Sequence, residues 1–423
     1  MLPADASPTA GSPPPDVMAA AAGLMSPEHI ADPYPTYARL RELDPVLFLP
    51  PLNAWLVTRF DDVKAVFKDD RLGVAFEQYQ INRQGPGVTG EDYFRVGSHL
   101  LVCNDPPVHT RLRRVFRQPF TPARVQDLAT VVERLCLDQL ELLRPQGRAD
   151  VSADFAALIP LATIGALLDV PLADQPQIGR WVYDFAPVLE VSPMDAGTLE
   201  RVNAAAAGLE GYFKELVAER RAKPGEDFIS AVVQANDADE SPMSEAELVN
   251  NISLLYFAGQ DTQKYMFTNI VAALDAQPDA YARLLEDPSR VPDAMRELYR
   301  FDSAGQFMGR TAIEDVELDG RTIKTGQTVM VCMAAANRDP SKFPEPDVLR
   351  FDREARTDMD AHITFGAGRH RCLGMHLAQL QLPIMLRTFI DVLGRVTVDR
   401  EAAVRHPSIA TRGFDELPVT WFA

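Results

Sequence analysis

Cysteine is scarce in this chain. Only Cys103, Cys136, Cys332 and Cys372 occur in 423 residues. They stand far apart with no C-x-x-C pair, which argues against both a zinc site and a disulfide framework. Positive charge is also in deficit: 42 Lys and Arg face 60 Asp and Glu, a formal charge of -18. A nucleic-acid binder needs a basic footprint, and so does adhesion to an anionic lipid surface. No apolar run reaches the roughly 20 residues that cross a bilayer, and MAAAAGLM near the start is far too short. The start also lacks the basic n-region of a secretory signal. MLPADASPTAGSPPPDV is rich in proline and small residues instead. Residues 1–25 therefore read as a disordered tail, residues 26–423 as a single domain without linker or repeat, and the protein as cytoplasmic.

What is present is helical texture. VLFLP and AWLVT are short extended runs that can pair as strands. From about Pro107 to Arg300 the apolar spacing is helical, as in RVQDLATVVERLCLDQLELL, LIPLATIGALLDV and GLEGYFKELVAERRA. The longest candidate starts at Ser244, where Ser244 and Glu247 fit a capping box, and Pro278 ends it. It would be roughly 50 Å long. After Arg300 the pattern alternates, with a hairpin turn expected at Asp319-Gly320. One more helix is expected from about Leu373.

Between the last strands and that helix stands FGAGRHRCLG, Phe365 to Gly374. Its glycines let backbone N–H groups approach the sulfur of Cys372, and a helix N-terminus follows. Both stabilise a thiolate. A dinucleotide loop does not fit, because Arg371 occupies the third glycine position of G-x-G-x-x-G. The stretch resembles the haem-binding loop of the cytochrome P450 family, F-G-x-G-x-H-x-C-x-G. AGQDT at 258–262, ELYR with Glu297 and Arg300, NDPPVHTRLRR, DPYPTYARLRE and ANRDP resemble further motifs of bacterial members, in order, from about Asp32 to the C-terminus.

That resemblance implies a mainly helical, triangular prism with a small sheet-rich lobe. It implies haem b with Cys372 as the axial iron ligand, O2 as co-substrate, and insertion of one oxygen atom into an organic molecule. Thiolate ligation favours O–O cleavage. Phe365, Gly366 and Gly374 would belong to the haem loop, and His109, Arg113, Arg310 and His370 would hold the propionates. Asp261 and Thr262 would relay protons at a local opening of the long helix. Glu297, Arg300 and Arg353 would form a buried structural triad, with Arg356 competing for the third place. Departures from the family pattern are Gln263, the Ala304-Gly305 pair in place of a proline, and Gln379. A substrate pocket would draw on Phe76, Phe94, Phe185, Leu255, Phe257, Ala258, Gln306, Phe307 and Phe414, and its aromatic character fits a lipophilic small molecule. Arg83, Arg95 or Arg412 could hold a substrate carboxylate, but each is expected first as a solvated surface charge.

With no flavin or iron–sulfur segment in the chain, electrons would come from a separate ferredoxin or similar acidic electron-transfer protein. Arg111, Arg114 and Arg117 are the expected docking charges. Oxidation without oxygen insertion, as in coupling or desaturation, stays open, as does a non-catalytic haem sensor.

Overall fold

Ser244 opens the axis of the molecule. In the computed structural model, which describes residues 15–50, 53–117, 122–189, 193–353 and 362–422, its side chain accepts from Glu247 N–H while the Glu247 carboxylate accepts from Ser244 N–H. The capping box satisfies two orphan donors and starts a helix over Glu245–Ala276. Its 32 residues span about 48 Å. Leu248, Ile252, Tyr256, Phe267, Ile270 and Leu274 are buried along it, because other helices pack around it: Leu158–Leu167, Ala196–Ala222, Phe228–Asp237 and Met375–Leu393. The helix ends at Ala276 and Pro278 begins the next, as the fixed φ of proline favours.

The sheet lobe stands to one side. Val46–Leu49 and Ala54–Val57 pair antiparallel, Val46 opposite Val57. They join a five-stranded sheet with Thr328–Cys332, Phe307–Ala312 and Leu72–Gly73, in that order. The expected hairpin pairs Val316–Leu318 with Arg321–Ile323. Asp319 and Gly320 turn it with φ of 49° and 71°, the left-handed pair that such a two-residue turn requires.

The two faces of this sheet do different jobs. Leu47, Leu49, Leu56, Phe307, Met330 and Cys332 form one apolar face. Trp55, Val57, Val329 and Val331 form the other, where they meet Phe67, Ile363 and Ala367. The second face thereby supports the segment that leads into FGAGRHRCLG.

The N-terminal expectation needs correction. Pro15–Ala22 is a helix, and Val17, Ala21 and Leu24 are buried against Tyr37, Leu40 and the first sheet face. Their spacing of four and three residues places them on one helical side, so the packed chain begins well before residue 26. Residues 1–14 lie outside the described residues. The C-terminal hairpin closes over this end: buried Arg412 donates to Asp302 (2.8 Å) and to the carbonyls of Ile30 and Ala31. Arg412 is therefore an internal ion-pair partner, where a surface charge was expected.

His29 lies in the same corner, 2% exposed, with its ring edge-on to Tyr37 at 5.1 Å. Neither ring nitrogen has a hydrogen-bond partner. Burial first, then the Arg412 cation, bring its pKa down from 6.5 to about 4. The unfolded chain then holds the extra proton between those values. Stability is full above pH 6.5 and falls as pH drops toward 4, by up to about 3 kcal/mol from this group. Urea melts at pH 7 and pH 5 are expected to differ in midpoint. His29→Gln should narrow that difference, and an unchanged difference would assign the slope to other groups.

Candidate active site

Cys372 ends a loop whose shape glycine makes possible. Gly366 and Gly368 have φ of 65° and 68°, a region that L side chains rarely adopt. A Cβ on Gly368 would lie 2.1 Å from the carbonyl oxygen of Phe67, so only glycine lets the loop settle on the helix Phe60–Lys68. Cys372 N–H donates back to Phe365 O at 3.0 Å, which closes the loop. Phe365 is fixed by its ring contact with Tyr299, 5.3 Å between centroids.

The sulfur lies at the start of the helix Met375–Leu393. Burial pushes its thiol pKa up. The backbone N–H of Gly374, the cations Arg113 and Arg371, and the N–H of Met375 oppose this. Cys372 is nonetheless accessible. Cys103, Cys136 and Cys332 have thiols that burial pushes up to about 12; they are inert packing residues.

Around the loop stands a group of nitrogen-bearing side chains, in which burial pushes both imidazoles toward the neutral form. His109 and His370 face each other with ring centroids 4.3 Å apart, and the Nε2 atom of each is buried without a hydrogen-bond partner. Asp105 is the nearest carboxylate. Burial disfavours its charge, but His370 and the N–H groups of Ala75 and Val74 hold it at about 2. His370 Nε2 is 3.6 Å from Asp105, beyond hydrogen-bond range. Arg310, 3% exposed, shares this neighbourhood, and burial brings its pKa down to about 10 against the pull of Asp105. Arg113 departs from its expected place: two of its N–H groups donate to the carbonyls of Arg369 and Arg371, at 3.0 and 2.7 Å. It braces the cysteine loop directly.

On the long helix, Ala258 and Thr262 are exposed and Gly259 and Asp261 half-buried, within a helix otherwise closely packed. The helix is unbroken here, which corrects the expected opening. Thr262 Oγ1 donates to Ala258 O at 2.9 Å and Gln263 Nε2 to Gly259 O at 3.1 Å. Both side chains thus bond back onto the ladder. Burial raises the pKa of Asp261, with Lys264 and His406 working against it.

The sequence matches the model described as Cytochrome P450 over residues 178–393. It is 34% identical to the cytochrome P450 monooxygenase PikC of Streptomyces venezuelae over 407 residues, covering 94% of this chain and 93% of that one. It is also 34% identical to the 6-deoxyerythronolide B hydroxylase of Saccharopolyspora erythraea over 405 residues, 94% of this chain and 98% of that one. The chain belongs to the cytochrome P450 family. Its fold matches the crystal structure of P450BioI in complex with a hexadec-9Z-enoic acid-ligated acyl carrier protein. The TM-score is 0.86 at 28% identity, over 93% of this chain and 99% of that one. The chain is thus a haem-dependent oxidoreductase of the monooxygenase class, using O2, a small-molecule substrate and a redox partner.

The residues fit the P450 haem. Cys372 offers an accessible sulfur with donors behind it. A Cβ on Gly366 or Gly374 would meet nothing within 4 Å, so the loop presents a flat, open side. The two orphaned imidazole nitrogens and Arg310 form a donor set suited to carboxylates.

The expected P450 pocket residues divide. Phe76 stacks on Phe94 at 5.3 Å, and Phe185 meets Phe257 edge-on at 5.4 Å. Leu255 is half-buried beside exposed Ala258. Three residues belong elsewhere. Gln306, 1% exposed, accepts from Tyr37 Oη and donates to Ser303 O. Phe307 packs edge-on against Tyr37 at 5.7 Å. Phe414 lies buried beneath the Arg405 guanidinium at 3.7 Å. In the same strand as Phe307, Met308 is 42% exposed. Strand residues two apart share a face, so Met308 and not Phe307 lies on the Arg310 side. Arg83 and Arg95 are tied down too: Arg83 donates to the carbonyls of Pro187 and Val188, and Arg95 pairs with Glu210 at 2.7 Å.

Behind the loop, Arg300 is 0% exposed and makes a bidentate pair with Glu297, both contacts at 2.7 Å. Arg353 Nε adds a third contact to Glu297 at 2.8 Å; Arg356 lies outside the described residues. Arg300 also donates to the carbonyl of Asn337. The Asn337 side chain in turn accepts from Ile363 N–H and donates to Thr364. Glu297→Ala would leave buried guanidinium charge without its counter-ion, at a cost of about 3–5 kcal/mol. Its denaturation midpoint is expected to fall accordingly, with weakened haem retention measured by gel filtration. A cost below about 1 kcal/mol would show that the carbonyls alone suffice for Arg300.

Proposed function

We propose that this P450 oxidises a lipophilic small organic molecule by oxygen insertion, with Cys372 as axial ligand and Asp261 and Thr262 as the proton-handling pair. The accessible Cys372 sulfur, backed by the Gly374 and Met375 N–H groups at a helix start, is the observation that carries the reading. We also assign residues 15–422 to one working domain, because Arg412 bonds both Asp302 and the Ile30–Ala31 backbone.

When bound, haem supplies the iron centre at which O2 is reduced and from which one oxygen atom passes to substrate. The chain's residues set the conditions. The N–H groups and Arg113 stabilise the Cys372 thiolate against the cost of burial. His109, His370 and Arg310 hold the propionates. Asp261, whose pKa burial raises, is the acid that would supply the proton. The Thr262 hydroxyl donates to Ala258 O, which leaves its lone pairs free to accept a proton-bearing partner. Phe94, Leu255, Ala258 and Met308 exclude water beside the reacting substrate.

The electron donor in this proposal is an acidic ferredoxin-like protein. Arg111 and Arg114 are weaker candidates for docking it than their sequence implied. Arg111 is paired with Glu247 at 2.6 Å and Arg114 with Asp239. Arg117 is exposed at the end of its helix and carries the steering role. Arg117→Glu is expected to slow reduction several-fold at low salt, with the effect fading as ionic strength rises. Reduction insensitive to both would exclude a steering role.

Cys372→Ser is expected to lose the thiolate-type spectrum of the reduced carbon monoxide complex and nearly all turnover; a retained spectrum would exclude Cys372 as ligand. Thr262→Ala should still bind haem and substrate and still consume reductant, but divert more of it to hydrogen peroxide. Unchanged coupling would pass the role to Gln260 or Gln263. Product analysis under labelled O2 separates oxygen insertion from coupling or desaturation.

A further inference from the structure

Asp261 needs a supply of protons, and the outer side of the long helix carries a group of side chains that the proposed chemistry has not used. Lys264 and Tyr265 lie three and four residues beyond Asp261, one turn along the same helix face. The C-terminal hairpin brings His406 and Asp415 against them. Tyr265 Oη donates to Asp415 Oδ1 at 2.9 Å and lies 3.1 Å from His406 Nδ1. His406 Nδ1 is 3.1 Å from Asp415 Oδ2. The Tyr265 and His406 rings stack, with centroids 4.8 Å apart and planes 27° apart. Lys264 Nζ stands 3.8 Å from Asp415 Oδ1 and 4.9 Å from the Tyr265 ring centre. The hairpin is held tightly here: a Cβ on Gly413 would fall 2.2 Å from the Tyr265 ring.

The cluster grades from interior to water. Lys264 is 14% exposed, His406 22% and Asp415 30%. His406 also borders a small cleft with His29, Arg405 and Ser408. One end of the group therefore meets solvent and the other lies a helical turn from Asp261.

We propose that Lys264, Tyr265, His406 and Asp415 form the path by which protons from water reach Asp261. The proposal rests on the reading of Asp261 as the acid. Each transfer balances simply. Once Asp261 has given up its proton, the Lys264 ammonium, whose charge acts on Asp261, passes one to the Asp261 carboxylate through an intervening water. Neutral Lys264 then takes a proton from the His406–Asp415 pair, which recovers one from water. No oxidant or co-reactant is consumed. The environments of the two carboxylates differ in the sense the path needs. Burial pushes Asp261 toward holding its proton. Burial also acts on Asp415, but His406, Tyr265 and Lys264 outweigh it and keep Asp415 charged. Neighbouring carboxylates pushed apart in this way divide into a proton donor and a fixed counter-charge. The titratable groups facing Asp261 and this cluster are Lys264, Tyr265, His406, Asp415 and, from the helix Gln175–Phe185, Tyr183. Lys264, Tyr265 and Asp415 are positioning residues, acting on the reaction through Asp261.

The test uses the haem-loaded protein and two readouts. The first is the infrared carboxyl band of Asp261, identified by its loss in Asp261→Asn and titrated in resting enzyme. Removing the like charge in Asp415→Asn should move the titration to lower pH, and removing the cation in Lys264→Met should move it to higher pH. The second is product formation in normal and heavy water. Asp415→Asn and Lys264→Met should each lower it by about tenfold, the scale on which a proton donor's placement matters, with a larger solvent isotope effect. Tyr265→Phe keeps the ring stack and tests the hydroxyl with least risk to folding. If Asp261→Asn slows turnover while the Lys264, Tyr265 and Asp415 variants leave both readouts unchanged, the path is wrong and Asp261 draws its protons elsewhere. If Asp261→Asn itself leaves turnover unchanged, the underlying reading of Asp261 falls.

Discussion

The constraint on which the proposed active site depends is keeping a sulfur anion inside a protein. Burial opposes the charge on Cys372, and the structure answers with dipoles and cations: two backbone N–H groups at a helix start, then Arg113 and Arg371. Those dipoles help only while the loop keeps its shape, because their effect falls off within a turn. Gly366 and Gly368 supply backbone angles that other residues resist, and Gly368 supplies contact with Phe67 that a methyl would block. Loop shape is thus an electrostatic requirement before it is a packing one.

That requirement passes to a second layer. Arg113 spends two donors on the loop's own carbonyls, so it contributes positive charge and geometry together. Further back, the Glu297–Arg300 pair is a costly device if judged as stabilisation, since burying both charges consumes most of their attraction. Its value lies in placement. Arg300 holds the Asn337 carbonyl, and Asn337 holds the backbone of Ile363 and the side chain of Thr364, two residues and one residue before Phe365. An error at Glu297 would reach the segment leading into the cysteine loop through three consecutive hydrogen-bonded contacts.

How much of this was legible in the chain depended on the range of the interaction. FGAGRHRCLG carries its constraints within ten residues, so the loop, its glycines and its sulfur were readable directly. The capping box at Ser244 and the turn at Asp319-Gly320 were readable for the same reason. The pairing of Arg111 with Glu247 and of Arg114 with Asp239 was not, because the partners lie more than 120 residues away and meet only through helix packing. Two misreadings were avoidable. Val17, Ala21 and Leu24 have helical spacing within a stretch whose proline and alanine content resembled a tail. The strand period of two should have paired Met308 with Arg310, which would have sent Phe307 to the opposite face. Phe414 and Gln306 needed the third dimension, since nothing local tells a buried aromatic or amide in the core from one lining a pocket.

The long helix shows how one element can serve packing and chemistry without breaking. Its ladder is continuous from Glu245 to Ala276, although Gly259, Asp261 and Thr262 are poor helix formers. Thr262 and Gln263 return their donors to carbonyls one turn back, and the surrounding helices supply the burial that propensity does not. The result is a rigid rod with a short accessible patch, Ala258 to Thr262, in an otherwise closely packed length. Under the proposed role of Asp261, rigidity matters there because a proton donor is useful only within about 3 Å of its acceptor. A fraying helix would move the Asp261 carboxyl by more than that. The same rod fixes Lys264 and Tyr265 one turn further on, so the C-terminal hairpin can meet them with Asp415 at hydrogen-bonding distance. Holding two carboxylates near one lysine, one of them driven toward the neutral form by burial and the other kept charged by His406, Tyr265 and Lys264, is possible only when neither backbone can drift to relieve the repulsion.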